Sequence, residues 1–232
     1  MTEKGQILNR IRLALKTNAP RPGHTAPAQV KNPGGSHHPP SPGEPRNWLP
    51  KVGESVEEHR TLFARNAAEL KADFHWLDSP EDARKLLNDM ASREVWQKVA
   101  THAGECTSPL CSTLPCKVLT LSPGYDRNEL ESCNAGISEC DFLVAQTGTV
   151  ALTNQSAGGR ALSVLPPHHI VLARKHQLLP DLPAAFAGLR QKYGDNFPTM
   201  ISLITGPSRT GDIERILVLG AHGPKKLTIL AF

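Results

Sequence analysis

The spacing of apolar residues along the chain predicts an alternation of helices and strands. Apolar positions recur on one helical face over residues 54–73 and 182–192, and a third helix is predicted to begin at Ser79-Pro80 and to end near Ala91. Short apolar runs predict strands at residues 74–77, 95–101, 117–121, 141–145, 149–153, 169–173, 199–205 and 227–232. This alternation is typical of an α/β domain with a largely parallel or mixed sheet.

The first fifty residues follow a different pattern. Residues 1–16 contain a predicted amphipathic helix, one face of which carries Ile7, Leu8, Ile11 and Leu15. Nine of the 20 prolines fall within residues 17–50, which are therefore predicted to form a disordered, basic linker. Residues 51–232 form one predicted domain. A lone helix of this length is marginal in water, so we expect it to dock on this domain, on a second protomer of a homo-oligomer or on a partner.

The net charge of +4 comes from the N-terminal segment. Residues 1–50 hold 7 Lys and Arg against 2 Asp and Glu, whereas residues 51–232 hold 19 against 20. The nearly neutral domain argues against a nucleic-acid partner. No run approaches about 20 apolar residues, and the N-terminus lacks the apolar core of a signal peptide, so we expect a cytoplasmic protein without a transmembrane segment.

The five cysteines show no metal-site spacing. They follow the pattern C-x4-C-x4-C-x16-C-x6-C, without a C-x2-C pair, and so differ from the usual zinc and iron–sulfur motifs. The sequence therefore predicts reduced thiols and neither a metal site nor a cofactor in this chain.

The first candidate site is the glycine-containing turn that begins at Gly206, directly after the strand predicted at residues 199–205. Free backbone N–H groups where a helix starts near Asp212 would favour an anion, and Arg209 adds a planar fork for a carboxylate or phosphate. The alternative is a capped turn in which Arg209 pairs with an acid of the same segment. The candidate ligand-binding residues of this turn are Gly206, Ser208, Arg209, Thr210, Asp212 and Glu214.

Two other loops carry polar residues at predicted strand ends. Residues 146–149 (Gln146, Thr147, Gly148, Thr149) would present an amide and hydroxyls to a ligand, or would form a simple hairpin turn. Residues 156–160 resemble an anion loop through Gly159 and Arg160, and a flexible hairpin tip is the alternative. If both cationic loops meet in one crevice, Arg160 and Arg209 would bind the same small anion.

Two histidine-containing segments complete the candidates. His168 and His222 lie beside chain-bending residues, where an imidazole can serve in acid–base chemistry. Neighbouring strand residues point to opposite faces, so we do not expect His168 and His169 to bind one metal together. A structural role is the alternative for each histidine.

Four of these segments, in this order, carry a family resemblance: residues 145–149, 164–169, 204–214 and 218–224. Together they resemble the LUD domain of the lactate utilization protein C family, strongly over residues 141–232 and more weakly before them. The resemblance implies a fold similar to the NagB/RpiA/CoA-transferase-like α/β class. It also implies that the protein acts together with a cysteine-rich subunit and an iron–sulfur subunit in oxidising L-lactate to pyruvate. In that set, the iron–sulfur clusters are expected in the partner subunit.

The role that the resemblance implies for this chain is that of an accessory, non-catalytic subunit. Many relatives have Glu where this chain has Gln146, so covalent catalysis by a carboxylate is not expected at that position. The residues also leave open a stand-alone enzyme or sensor for a small carboxylate, phosphate or nucleotide.

Overall fold

The computed structural model describes residues 51–210, 218–219 and 222–232. The predicted helix at 1–16 and linker at 17–50 lie outside these residues. So do Asp212 and Glu214, together with the helix start predicted near Asp212.

A six-stranded parallel sheet forms the centre of the domain. Its order is β1 (Asp73–Trp76), β12 (Lys226–Ala231), β7 (His168–Ala173), β4 (Ala135–Glu139), β2 (Lys98–His102) and β3 (Lys117–Leu121). The fold is thus α/β with a largely parallel sheet, as the alternation of elements predicted.

A smaller sheet of four strands covers part of the central sheet. Its order is β8 (Leu178–Leu179), β5 (Phe142–Val144), β6 (Thr149–Thr153) and β9 (Ile201–Ile204). β5 and β6 form an antiparallel hairpin, while β8 runs parallel to β5. A third pair joins β10 (Arg209–Thr210) to β11 (Val218–Leu219).

Three of the described helices begin at clear capping signals. Ser55 and Glu58 form a reciprocal capping box at the start of α1 (Val56–Glu69), and the Ser79 side chain caps α2 (Pro80–Arg93). Asp181 caps α5 (Leu182–Tyr193) in the same way. The remaining helices are α3 (Thr107–Cys111), α4 (Arg127–Glu131) and a 3-10 turn at Lys175–Gln177.

The two faces of the central sheet bury different helices because alternate strand residues point to opposite sides. On one face, Val171 and Ile229 pack with Phe63 of α1 and Leu152 of the smaller sheet. On the other face, Ile170 and Leu172 pack with α2 and α3. The domain therefore has three layers, and its loops gather at the two edges of the parallel sheet.

Two predicted boundaries were wrong because residues there adopt a left-handed backbone. The helix predicted to reach residue 73 ends at Glu69, since Lys71 has a φ of 64°. The strand predicted from residue 95 begins at Lys98, because Val95 has a φ of 54° and the Trp96 N–H bonds back to Ala91 of α2. The strand predicted at 199–205 is also shorter, at Ile201–Ile204.

The apolar pattern missed the central strand β4. Its sequence, Ala-Gly-Ile-Ser-Glu, contains one large apolar residue. A Cβ on Gly136 would lie 2.5 Å from the Leu162 carbonyl oxygen, so the strand needs a small residue where a neighbouring segment crosses it. Within the described part of the chain, no helix is long and apolar enough to cross a membrane.

Candidate functional site

A polar crevice opens at the carboxyl edge of the central sheet, between β2 and β4. Within the central sheet, the strand that follows β2 in the chain is its neighbour β3 on one side, whereas the next central strand after β4 is its neighbour β7 on the other side, reached through β5 and β6 of the smaller sheet. Such a divergence is the usual ligand position in parallel α/β sheets. The carboxyl-edge crevice has a volume of about 450 Å³, and its lining includes His102, Gly104, Glu105, Glu139, Ser156, Arg174, His176, Lys192 and Tyr193.

Glu139, the last residue of β4, is held in place at one of its two carboxylate oxygens. Oε1 accepts hydrogen bonds from the backbone N–H of Cys106 at 2.7 Å and of Thr107 at 3.0 Å, and from the Thr107 hydroxyl at 3.3 Å. Oε2 has no hydrogen-bond partner among the described residues. Gly104 makes room for this arrangement, because a Cβ there would lie 2.2 Å from Oε1.

A fully buried carboxylate anchors the far wall of the crevice. Asp141 accepts hydrogen bonds from Lys192 Nζ at 2.6 Å, the Tyr193 hydroxyl at 2.6 Å and the Ser156 hydroxyl at 2.7 Å. Burial lowers the pKa of Lys192, but its hydrogen bond and charge attraction to Asp141 outweigh that effect and raise the pKa. The Lys192 charge is therefore committed to neutralising Asp141.

Arg174 supplies an exchangeable positive charge to the crevice. It follows β7, and its Nη2 contacts Glu105 Oε2 at 2.5 Å. Glu105 is 81% exposed and Arg174 45% exposed at their side chains, so the pair contributes little free energy and can be replaced by another anion. The Gln177 side chain, which accepts from the Arg174 N–H, also donates to the carbonyls of Cys140 and Asp141 at 2.7 and 3.1 Å.

The remaining walls are neutral and closely packed. The backbone N–H of Glu139 donates to His102 Nε2 at 3.3 Å, and burial lowers the pKa of His102 despite the nearby Glu139. Gly158 lies against this ring, because a Cβ there would be 2.2 Å from His102 Cβ. Burial raises the pKa of Cys106, with Arg174 opposing it, and the five cysteines are free thiols.

Three of the predicted site residues meet at a second, smaller cavity. Gly206, Ser208 and His222 line the signature-loop cavity, a space of about 270 Å³ whose other lining residues include Ser163, Val164, His169, Leu203, Thr205 and Pro224. A backbone bond from Ser208 N–H to the Pro224 carbonyl at 2.9 Å joins its two loops. The cavity lies where β7 and β12 begin, at the amino edge of the sheet. The described residues that line it include no aspartate, glutamate, lysine or arginine.

The predicted 146–149 loop is the turn of the β5–β6 hairpin. The Thr147 and Thr149 hydroxyls bond each other at 2.7 Å, and Thr149 bonds the Thr205 hydroxyl at 2.8 Å. Gly148 has a φ of 63° and packs against α1. Asn66 of α1 donates to the carbonyls of Ala145 and Gln146 at 2.9 and 3.0 Å. This hairpin therefore connects α1 to Thr205, which lines the signature-loop cavity.

The other candidates occupy separate positions. Arg160 donates to the Thr199 hydroxyl at 3.1 Å and Arg209 donates to the Leu70 carbonyl, so both contact the protein outside the two cavities described above. Gly159 is adjacent to Arg160, with a φ of 120°. The His168 Nε2 lies 2.9 Å from the Thr228 hydroxyl, and that of His169 lies 2.9 Å from Ser138. Thr210 lies on β10.

Sequence reasoning missed the side chains of the carboxyl-edge crevice. His102 and Glu139 end parallel strands, and Arg174 directly follows one. A polar residue at the carboxyl end of an apolar strand is a partial signal for such a site, because it does not show which strand ends are neighbours. Among the described residues, no group of three or more His, Cys, Asp or Glu side chains is arranged to hold a metal ion. Within the described part of the chain, the crevice offers Arg174 as an exchangeable cation and Glu139 as a fixed carboxylate acceptor, a combination suited to a small polar carboxylate.

Comparison with known proteins identifies relatives of this chain. The model of the LUD domain family matches residues 60–232. Lactate utilization protein C of Macrococcus caseolyticus is 41% identical over 102 residues, which are 43% of this chain and 44% of that protein. The protein of the same name from Bacillus licheniformis is 39% identical over 98 residues, 41% of each chain. The matched segment thus spans less than half the length of these curated relatives.

A solved structure shares the fold. The crystal structure of a DUF162 family protein from Deinococcus radiodurans superposes with a TM-score of 0.60 at 22% sequence identity. The superposition covers 77% of this chain and 99% of the other.

Proposed function

This chain belongs to the LUD domain family, and on that premise we propose that it acts in lactate utilization as a cytoplasmic accessory subunit that binds a small carboxylate. Two kinds of observation support the proposal. Relatives named lactate utilization protein C match about two fifths of this chain. The carboxyl-edge crevice supplies a binding site of suitable size and charge.

The exposed ion pair of Arg174 with Glu105 is the observation on which the ligand assignment rests. A carboxylate entering the crevice replaces Glu105 on the guanidinium, because the exposed Arg174–Glu105 pair is weakly held. Arg174 has five N–H donors in a rigid fork, so it can hold both oxygens of the incoming carboxylate. Lys192 stays with Asp141 and keeps the wall of the crevice closed.

The proposed subunit works with two others. A cysteine-rich subunit and an iron–sulfur subunit would carry the redox steps from L-lactate to pyruvate, with the iron–sulfur clusters held by the partner. Binding of lactate or pyruvate by the present chain would hold substrate or product near that assembly. In this role, the residues of the present chain transfer neither protons nor electrons.

Growth and copurification test the proposal. A strain lacking this gene should fail to grow on L-lactate, and expression of the intact chain should restore growth. The Arg174→Ala variant should restore growth poorly at equal protein level, while copurifying with the cysteine-rich and iron–sulfur subunits as the wild type does. Unimpaired growth of the deletion strain on lactate would refute the role in lactate utilization. Failure of the wild-type chain to copurify with both subunits would refute the subunit assignment.

A further inference from the structure

We infer that Glu139 makes the carboxyl-edge crevice selective for a 2-hydroxy acid over the corresponding 2-oxo acid. The inference rests on the proposed function, because it assumes that a small carboxylate binds at Arg174. It adds the class of ligand and the residue that distinguishes between substrate and product.

The geometry of Glu139 provides a fixed hydrogen-bond acceptor. Three donors hold Oε1, two of them backbone N–H groups at 2.7 and 3.0 Å. Gly104 and the His102 ring pack around the same residue, so the carboxylate has little freedom to turn. Oε2 is left without a hydrogen-bond partner among the described residues, and Glu139 lines the crevice. It is therefore the oxygen that a ligand can reach.

The two cations of the crevice have unequal freedom to bind a ligand. Lys192 is held at 2.6 Å by Asp141, a carboxylate whose side chain is fully buried, and its departure would leave that charge unpaired. Among the acidic side chains of the described residues, Arg174 forms an ion pair with Glu105 alone, and that carboxylate is exposed. The ligand carboxylate therefore goes to Arg174, and the rest of the ligand extends towards Glu139.

A hydroxyl and a keto group behave differently beside a carboxylate oxygen. The hydroxyl at C2 of a 2-hydroxy acid can donate a hydrogen bond to Oε2, and charge-assisted bonds of this kind are stronger than neutral ones. The keto oxygen of a 2-oxo acid has no hydrogen to donate and places its lone pairs against the same acceptor. Propionate has no oxygen at C2, so it neither donates this hydrogen bond nor places lone pairs against Oε2. A single such bond in an open site corresponds to about tenfold or more in affinity.

Titration of the full chain with L-lactate, propionate and pyruvate tests this order. Calorimetry should show L-lactate bound about tenfold more tightly than propionate, with pyruvate weakest. Equal affinities for the three acids would overturn the inference and leave the carboxylate site in place. No binding of any of them would overturn the proposed ligand site as well, so the two failures are distinguishable.

Two matched amide variants locate the effect. In Glu139→Gln the amide oxygen can still accept the Cys106 and Thr107 bonds, while the amide nitrogen now donates to the ligand. This variant should therefore bind pyruvate at least as tightly as L-lactate. Glu105→Gln makes the same chemical change in the same crevice but frees Arg174. It should therefore raise the affinity for all three acids by a similar factor and preserve the order of the three affinities. An unchanged preference in Glu139→Gln, with its thermal unfolding midpoint retained, would refute the role of Glu139.

Discussion

Individual residues of this domain are positioned by contacts that lie far apart in the chain. Glu139 is fixed by Cys106 and Thr107, more than thirty residues earlier, and Asp141 by Lys192 and Tyr193, about fifty residues later. Sequence reasoning selected Arg160 and Arg209 as anion ligands because each follows small, flexible residues. It passed over Arg174, because nothing local to that position indicates that its strand ends at a crevice.

The buried His169 gives the domain a predictable sensitivity to acid. Burial, with a further contribution from neighbouring His168, lowers the pKa of His169 from its ordinary 6.5 to about 3. Between those values the unfolded chain binds a proton that the folded chain does not, so stability is lost as pH falls below 6.5. We expect this one site to lower the free energy of unfolding by about 1.4 kcal/mol between pH 7.5 and pH 5.5.

Urea unfolding of a His169→Gln variant measures that contribution. The glutamine amide can still bond the Ser138 hydroxyl but does not titrate, so the difference in free energy of unfolding between the two pH values should shrink by about 1.4 kcal/mol. Ser138→Ala removes the hydrogen bond and keeps the imidazole, and it should lower stability about equally at both pH values. An identical pH dependence in wild type and His169→Gln would contradict the argument.

At the scale of elements, most helices and strands could be predicted, but their ends often could not. The capped start of α2 at Ser79 was confirmed because its signal is local. The end of α1 and the start of β2 depend on left-handed residues, Lys71 and Val95, that no sequence rule favours. The strand β4 was missed because small residues, rather than an apolar run, suit its crowded central position.

Asn66 of α1 forms hydrogen bonds to the turn of the β5–β6 hairpin, and this contact gives an element-scale prediction. Asn66→Ala removes two hydrogen bonds from the turn carbonyls, at 2.9 and 3.0 Å, and should lower the free energy of unfolding by about 1–2 kcal/mol. Asn88→Ala removes the same amide from α2, where it makes a single 3.5 Å contact, and should change stability by less than about 0.5 kcal/mol. Chemical denaturation compares them. Equal losses would show that Asn66 does not anchor the hairpin.

At the scale of the whole molecule, the order of strands decides where a ligand can bind. The alternation of elements predicted an α/β fold, but apolar spacing does not reveal that β12 inserts between β1 and β7 or that β4 lies beside β2. Those long-range pairings put His102, Glu139 and Arg174 at one edge of the sheet. They put Gly206, Ser208 and His222 at the other edge. The chemistry of the carboxyl edge could be recognised only once the strand order was known.

A map of backbone amide shifts in the full chain during titration with L-lactate tests most directly whether the carboxyl-edge crevice is the carboxylate site. Binding in this crevice should produce saturable changes centred on residues 102–107, 139–141, 174–177 and 192–193, and these changes should be lost in Arg174→Ala. We expect no comparable changes at residues 205–208 and 222–224, which belong to the signature-loop cavity. Changes centred on that cavity, or a map unaffected by Arg174→Ala, would contradict the assignment of the carboxyl-edge crevice as the carboxylate site.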